Sequence, residues 1–236
     1  MLAAAVFAIA IVYGGWANWL LWPALNFGGL AFAYSHNSPR PFGKRADGTL
    51  RGDLVVLYFP LLVLTWSVWH LWRIVTRESA FDRIDGTLII GRRLLANEPS
   101  PDADHFLDLT QEFAEPKEIR ERAGYWSFPI LDAAGPSPEA LVDMALQLPP
   151  DRTLYVHCAQ GHGRTGLVAS VILLATARAA TAEEALGRIQ QARPGVRLSA
   201  AQFHCLTECE RLLRELAERT LPARKSCDVP GIPTGL

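Results

Sequence analysis

The stretch TLYVHCAQGHGRTGLVASVILLATARA, residues 153–179, carries the strongest structural signal in the chain. Its first six residues form an apolar run typical of a buried central strand, and its last sixteen form a strongly apolar helix. The loop between them, HCAQGHGRTG (residues 157–166), gathers a thiol, three glycines, an arginine and two histidines. A strand, a glycine-rich turn and a helix in that order indicate an α/β fold.

Shorter patterns on both sides of this stretch extend the same fold class. Residues 86–91 and 105–110 are apolar runs that end at turn or polar residues, which predicts two further strands. Residues 181–194 and 199–219 have helical patterns, the second with Ser199 as its N-cap. We expect an α/β domain with a mostly parallel central sheet flanked by helices, in which ligands bind where a strand leads into a helix.

The loop has the composition of an anion site. Gly161, Gly163 and Gly166 let the backbone curl so that its N–H groups point inward at a helix start, whose dipole favours negative charge. Arg164 adds a planar fork of donors that matches two oxygens of a phosphate. The nucleotide-binding phosphate loop is excluded, because it ends in GK[ST] and this loop lacks that lysine.

Cys158 lies at the mouth of the same loop. A helix N-terminus and nearby cations favour the thiolate form of a cysteine, and a thiolate beside a bound phosphate is a nucleophile that faces phosphorus. Thr165 can hydrogen-bond the sulfur and improve it as a leaving group. The alternative is an inert buried thiol in a glycine turn, but the combination of these residues in one loop favours a reactive site.

The loop resembles the HCxxGxxR[ST] signature of the cysteine-dependent protein phosphatases, and most closely their dual-specificity branch. The likeness extends over most of residues 81–216, well over half of the chain, and includes IDGTLIIG, FLDLT, FPILDAAGPSPEAL and ARPGVRLSAAQ. The resemblance implies a phosphate monoester hydrolase that works through a phosphocysteine intermediate. The signature is highly specific for a phosphate site and much less specific for the substrate.

The resemblance also implies roles for single residues. Cys158 would be the nucleophile, Arg164 would clamp the phosphate, and Thr165 would assist hydrolysis of the intermediate. Asp132, in FPILDAAGPSP, takes the place of the general acid that protonates the leaving oxygen and then activates water. An aspartate that only shapes the turn is the alternative.

The remaining residues of the signature would hold the phosphate or support the loop. His157 is expected to orient the loop by hydrogen bonds, and His162, at the rim, either meets the substrate or is simply exposed. Ser199 stands where many relatives have an asparagine that braces the signature loop, and its hydroxyl can still hydrogen-bond. The expected phosphate-binding set is Ala159, Gln160, Gly161, His162, Gly163 and Arg164.

The front of the chain differs in composition from the rest. Its first charged residue is Arg40, residues 54–72 form a second apolar run, and each run contains three tryptophans. A membrane span takes about 20 apolar residues, and tryptophan is enriched at membrane interfaces. A cleaved signal peptide fits poorly without a basic n-region, and neither run has the polar face of a core helix. We therefore expect two transmembrane helices, at about 2–24 and 54–73.

These patterns divide the chain into three parts. Residues 1–76 are expected to be a membrane anchor with a basic connecting loop, residues 77–221 the phosphatase catalytic domain, and residues 222–236 a flexible tail. Basic residues on both sides of the second segment leave the orientation open. Because a reactive thiolate must stay reduced, we expect the catalytic domain on the cytoplasmic face of a bacterial inner membrane.

The substrate is left open between two classes. Relatives that hydrolyse phosphoinositides often carry lysines where this loop has Ala159 and His162, which argues against a polyphosphoinositide. We favour phosphotyrosine or phosphoserine/threonine on proteins; the alternative is a phospholipid monoester, which an anchored enzyme would meet at high effective concentration. A phosphate-binding module without turnover is less favoured because Cys158, Arg164 and Asp132 are all present. An arsenate reductase would need a second cysteine close to Cys158.

No metal or other cofactor is expected, because a thiolate and an arginine suffice for the chemistry and no His/Asp cluster has ligand spacing. Cys205 and Cys209, four residues apart in a predicted helix, are interpreted as buried apolar residues. Nucleic acid is not an expected partner, because 23 basic and 24 acidic residues give a net charge of −1.

Overall fold

The computed structural model describes residues 2–76 and 78–220; the predicted tail, residues 222–236, lies outside them. The α-helices are α1 (Leu2–Tyr13), α2 (Leu21–Ser35), α3 (Gly52–Leu57), α4 (Phe59–Val75), α5 (Lys117–Arg120), α6 (Pro138–Gln147), α7 (Gly163–Ala175), α8 (Ala182–Ala192) and α9 (Ala200–Thr220). The strands are β1 (Phe81–Arg83), β2 (Leu88–Arg92), β3 (His105–Asp108), β4 (Tyr125–Ser127) and β5 (Leu154–Cys158). Short 3₁₀ helices occupy Gly15–Leu20 and Arg40–Phe42.

The five strands form one sheet in the order β1-β2-β5-β3-β4. The pairs β2–β5, β5–β3 and β3–β4 are parallel, whereas β1 and β2 are antiparallel. The α/β prediction is confirmed; the sheet, predicted as mostly parallel, is mixed, with one antiparallel pair among its four. The reason is the connection between β1 and β2, a turn of four residues, which can join only antiparallel neighbours.

Strand β5 and helix α7 lie at the centre of the main core. Every residue of β5 is buried, and α7 is buried without interruption from Arg164 to Leu173. Helices α6, α8 and α9 pack around α7, which explains why the sequence of α7 has no polar face. The core therefore fixes both ends of the loop that joins β5 to α7.

The apolar front of the chain does not form the two expected transmembrane helices. Within residues 2–76 and 78–220, no helix is both long and apolar enough to cross a membrane. The first run is divided between α1, a 3₁₀ helix and α2, because Gly14 and Gly15 have φ of 53° and 51°, where the α-helix cannot continue. The second run is divided at Tyr58, and α4 has 17 residues, about 25 Å against a bilayer core of about 30 Å.

Instead, α2, α4 and the loop after α2 pack on the α/β part of the chain, residues 78–220. Ala33 and Phe42 form a buried apolar cluster with Leu131, and Trp69 forms another with Phe113 and Ala159. Two further hydrogen bonds join α2 and the residues after it to the loop before α6: Tyr34 Oη donates to Asp132 O at 2.9 Å and Asn37 Nδ2 to Gly135 O at 2.6 Å. The apolar front thus covers the loops that follow β3, β4 and β5.

Lys44, from the basic loop, makes a deeply buried contact with the end of β3. Its ammonium lies 2.6 Å from Asp108 Oδ2 at the end of β3 and also donates to Thr110 Oγ1 at 3.2 Å and to Phe113 O. The side chains of Lys44 and Asp108 are both almost fully buried. A charge expected in the loop between two membrane segments therefore lies inside the protein.

Candidate active site

The signature loop begins at the end of β5 and ends in the first turn of α7. Cys158 closes the strand and is 3% exposed, and Gly161 N donates to its Sγ at 3.2 Å. Gly161 has φ of +75°, and a Cβ at this position would overlap the backbone of Gly91 on β2. Only glycine fits both conditions, so the close approach of the loop to β2 accounts for the residue type.

Arg164 is held in a fixed orientation by a buried carboxylate. Its two terminal nitrogens lie 3.0 Å and 2.7 Å from the two carboxylate oxygens of Glu112, a bidentate pair. Its Nη1 also donates to Ile130 O at 3.3 Å. Burial opposes the charged form of Glu112, but the neighbouring guanidinium outweighs it and holds the pKa of that carboxyl below its usual range. The arginine side chain is consequently preorganised.

Asp132 lies on the open side of the same arginine. Its Oδ1 is 3.2 Å from Arg164 Nε, and its side chain is 71% exposed. Its own backbone carbonyl accepts the hydrogen bond from Tyr34, and the neighbouring Ala133 has φ of 57°. The carboxylate therefore stands at the cleft mouth on a loop whose backbone is tied to α2.

Cys158, Arg164 and Asp132 line one cleft of about 350 Å³, a size typical of small-molecule sites. Its floor is the signature loop, and Glu112 and Phe113 form one side. Helix α4 forms the adjoining side, and its cleft-lining residues are Leu64, Thr65, Val68 and Trp69. The three chemical groups that sequence comparison singled out thus meet in one concave site.

A family model matches residues 101–224, just over half of the chain, and is described as a Swiss Army Knife protein, DSP-PTPase phosphatase domain. The chain belongs to this family. It is a phosphatase domain of the dual-specificity and tyrosine phosphatase type, a hydrolase, which confirms the resemblance to the dual-specificity branch at the level of the family.

Individual proteins that are similar to this phosphatase domain are consistent with the family assignment. Protein 197R of Invertebrate iridescent virus 6, whose name assigns it to the tyrosine phosphatases, is 34% identical over 79 residues, 29% of this chain and 30% of that protein. PTPMT1 aligns with a TM-score of 0.50 at 19% identity, and a variant of human DUSP28 with 0.50 at 14%; each alignment covers 59% of this chain and 99% of the other. These structural likenesses show the fold alone.

Two other signature residues of the phosphatase domain, Thr165 and His157, do not make the hydrogen bonds that were expected of them. Thr165 Oγ1 donates to Gly91 O at 3.5 Å, and the sulfur of Cys158 accepts from Gly161 instead. Neither ring nitrogen of His157 has a hydrogen-bond partner among the described residues, so the expected orienting hydrogen bonds are not made. Burial lowers the pKa of His157 to about 4, although Asp108 opposes that shift.

The rim of the loop is fixed by ionic contacts rather than left free. His162 Nε2 lies 2.7 Å from Glu78 Oε2, which also lies 3.2 Å from Arg193 Nη2. That same Nη2 donates to Gln160 O at 3.4 Å, and Trp69 Nε1 donates to Ala159 O at 2.7 Å. The carbonyls of the loop thus point outward to partners.

Ser199 supports a different loop from the one expected. Its hydroxyl donates to Ala133 O at 2.7 Å and accepts from Gln202 N at 3.1 Å, so it caps α9 as predicted. The hydroxyl braces the residue after Asp132, while Gln202 lies against Gly163 of the signature loop. Ser199 is therefore a support of the aspartate loop.

A group of buried carboxylates lies beneath the signature loop. Ligand atoms of Asp108, Glu115 and His157 lie within 4.8 Å of one another, the spacing of a metal site. The two carboxylates already have cationic partners, since Lys44 pairs with Asp108 and Arg93 Nε lies 3.0 Å from Glu115 Oε1. Lys44 and Arg93 already occupy the positions beside the two carboxyl groups, so these residues do not fit a metal ion.

Sequence reasoning missed three residues of this site. Glu112 follows β3 at the edge where parallel strands gather ligands, a position that topology could have flagged. Lys44 and Trp69 gave no usable signal, because Lys44 lies in the basic loop expected to connect two membrane segments and Trp69 lies in one of those segments. Their positions depend on packing between segments far apart in the chain.

Proposed function

We propose that this phosphatase domain hydrolyses phosphate monoesters through a covalent phosphocysteine intermediate. The observation that supports it is the meeting of Cys158, Arg164 and Asp132 in one cleft. The sulfur supplies a nucleophile, the arginine a fixed pair of donors, and the aspartate a carboxyl group at the open side. Ala159, Gln160, Gly161, His162 and Gly163 supply the rest of the phosphate cradle.

In the first step, the Cys158 thiolate attacks phosphorus and an S–P bond forms. The P–O bond to the alcohol breaks, and the leaving oxygen takes the proton of Asp132. Arg164 binds two non-bridging oxygens and stabilises the charge that builds on them in the transition state. Glu112 keeps the guanidinium in place, so that little reorganisation is needed during the reaction.

In the second step, water attacks the phosphocysteine and the S–P bond breaks. The Asp132 carboxylate takes a proton from that water, inorganic phosphate leaves, and the thiolate is restored. Thr165 was expected to assist here by hydrogen-bonding the sulfur. Its bond to Gly91 O is long, so a small rotation of the hydroxyl toward the sulfur is part of this proposal.

The experiment uses the full chain with p-nitrophenyl phosphate in the presence of a metal chelator. We expect turnover in the wild type, none in Cys158→Ser, and a drop of about 10²–10⁴-fold in kcat in Asp132→Asn. Acid quenching during turnover should leave a phosphoryl group on the peptide that contains Cys158.

Cys205→Ser is the matched control, because this cysteine is buried outside the cleft and a serine can keep its hydrogen bond to Pro136 O. Activity that survives in Cys158→Ser, or a phosphoryl group on another residue, would contradict the mechanism. Phosphate binding without any turnover would make the cleft a binding module.

The proposed function leaves two candidate substrate classes. Phosphotyrosine or phosphoserine/threonine on proteins is supported by the family description and by the name of the viral relative. A phospholipid monoester is the second candidate, and one observation favours it: the side of the cleft formed by Leu64, Val68 and Trp69 is apolar.

Membrane association and a cytoplasmic catalytic domain also stay proposals. Among the described residues, all large apolar side chains that are exposed lie in residues 7–75, except Leu146 and Leu216. Exposed apolar surface of this extent marks an interaction site. Flotation of the full chain with phosphatidylglycerol vesicles would support association, and a chain that stays at the bottom of the gradient would contradict it.

A further inference from the structure

Helix α4 is fixed directly on the catalytic elements. Trp69 is 3% exposed, and its indole N–H bonds to the carbonyl of Ala159, the residue after the nucleophile. Trp66 Nε1 donates to Glu112 O at 2.9 Å, on the residue that holds Arg164. Phe113 packs on Trp69 with ring centroids 5.2 Å apart. The distance between α4 and the reacting groups is therefore set by two hydrogen bonds and a ring contact.

Two of the cleft-facing residues of α4, Leu64 and Val68, are apolar and more than half exposed. Leu64 is 56% exposed and Val68 is 52% exposed, and both line the cleft that contains Cys158. When an apolar part of the substrate covers exposed leucine and valine side chains at an active-site mouth, apolar surface is removed from water and binding is favoured. The same helix continues with exposed Leu71 and Trp72.

The polar residues of the cleft do not suit a peptide. Outside the signature loop and its arginine, the polar side chains that line it are Thr65, Glu112 and Asp132. Glu112 is engaged by Arg164, and Asp132 is placed for proton transfer. Few groups therefore remain for the backbone amides of a phosphopeptide, and two carboxylates disfavour a second anionic group near the phosphate.

We propose that Leu64 and Val68 are specificity-determining residues that bind the hydrocarbon part of an amphiphilic phosphate monoester, a lipid. The phosphate lies on the signature loop, and the chain attached to it lies along α4. The inference rests on the proposed thiolate chemistry and adds the substrate class to it.

The experiment compares ethyl phosphate with octyl phosphate, kept monomeric, on the full chain. The two esters release a primary alcohol and differ only in hydrocarbon length. We expect wild-type kcat/KM to be at least tenfold higher for octyl phosphate. Val68→Thr, a nearly isosteric change, should lower the octyl-to-ethyl ratio at least fivefold, and Leu64→Asn should lower it as well.

Val63→Thr is the matched control, because Val63 is an exposed valine of the same helix that does not line the cleft. Its octyl-to-ethyl ratio should equal that of the wild type. Equal ratios in Val68→Thr and Val63→Thr would overturn the inference, as would a kcat/KM for a phosphotyrosyl peptide above that for octyl phosphate. In those cases Cys158-dependent turnover of ethyl phosphate or p-nitrophenyl phosphate leaves the proposed function standing; no turnover of any ester overturns both.

Discussion

At the scale of single residues, the sequence predicts the position of Arg164 but not the residue that orients it. Its place in the signature could be predicted from the sequence, because the spacing from Cys158 fixes it within the loop. The carboxylate that orients it could not, since Glu112 lies 52 residues earlier and no local pattern links the two. A buried ion pair of this kind depends on the tertiary structure, which brings the ends of β3 and β5 together.

Glu112→Gln should reduce catalysis because Glu112 orients the guanidinium of Arg164. The amide can accept one hydrogen bond from Arg164 but supplies no charge, so the guanidinium loses its fixed orientation. We expect kcat/KM on p-nitrophenyl phosphate to fall by about 10–10²-fold, since small misplacements of a clamp residue have effects of that size. Steady-state kinetics of the full chain would measure it.

Glu139→Gln is the control for that change, because Glu139 is an exposed carboxylate in the first turn of α6. Its kcat/KM should match the wild type. An unchanged kcat/KM in Glu112→Gln would mean that Arg164 is oriented by the other contacts of its side chain.

At the scale of elements, the catalytic domain followed its sequence patterns and the front of the chain did not. Strand β5 and helix α7 lie where the apolar runs predicted them, and the last two helices lie where the helical patterns predicted them. Residues 2–24 and 54–73 were assigned to the membrane because hydropathy does not distinguish a lipid surface from a protein surface. The glycine pair at Gly14 and Gly15 was the local sign that the first helix breaks.

Lys44→Met tests whether the loop after α2 is an integral part of the fold. The change removes the buried partner of Asp108 and leaves a carboxylate without its main counter-charge. Breaking a buried ion pair on one side costs about 3–5 kcal/mol, so the free energy of unfolding should fall by roughly that amount. Urea unfolding followed by tryptophan fluorescence would measure it.

Arg45→Met provides the comparison, because Arg45 is the exposed neighbour of Lys44. Its unfolding midpoint should lie close to that of the wild type. Should both variants unfold at the same urea concentration, the contact between Lys44 and Asp108 contributes nothing to stability.

At the scale of the whole molecule, the buried polar cluster under the signature loop links stability to pH. Burial, aided by the nearby charge of Asp108, raises the pKa of Glu115 from its usual 4.5 to about 8. Burial lowers the pKa of His157 from 6.5 to about 4. Both groups are therefore neutral in the folded protein near pH 6, where the unfolded chain ionises Glu115.

Unfolding free energy should fall between pH 6.5 and 8. In that window the folded state keeps a proton on Glu115 that the unfolded state has released, so stability decreases as pH rises. His157 acts in the opposite direction, but only below pH 6.5, where the unfolded chain binds a proton that the folded protein excludes. The expected loss is about 1–2 kcal/mol over 1.5 pH units.

Glu115→Gln should remove this pH dependence, whereas Glu121→Gln, at an exposed carboxylate, should keep it. Urea unfolding at pH 6.5, 7.25 and 8 would give the slopes. The same slope in Glu115→Gln and in the wild type would assign the pH dependence to another group.

The separation in sequence between α4 and the loop that it covers has a consequence for biosynthesis. Ala159 follows Trp69 by 90 positions in the sequence. At about 5–20 residues per second, the ribosome needs roughly 5–20 s to add that many residues. During that interval the face of α4 that packs on Ala159 has no partner there. The apolar side of the cleft is thus the first part of the active site to be synthesised, and it is completed only when the signature loop has been made.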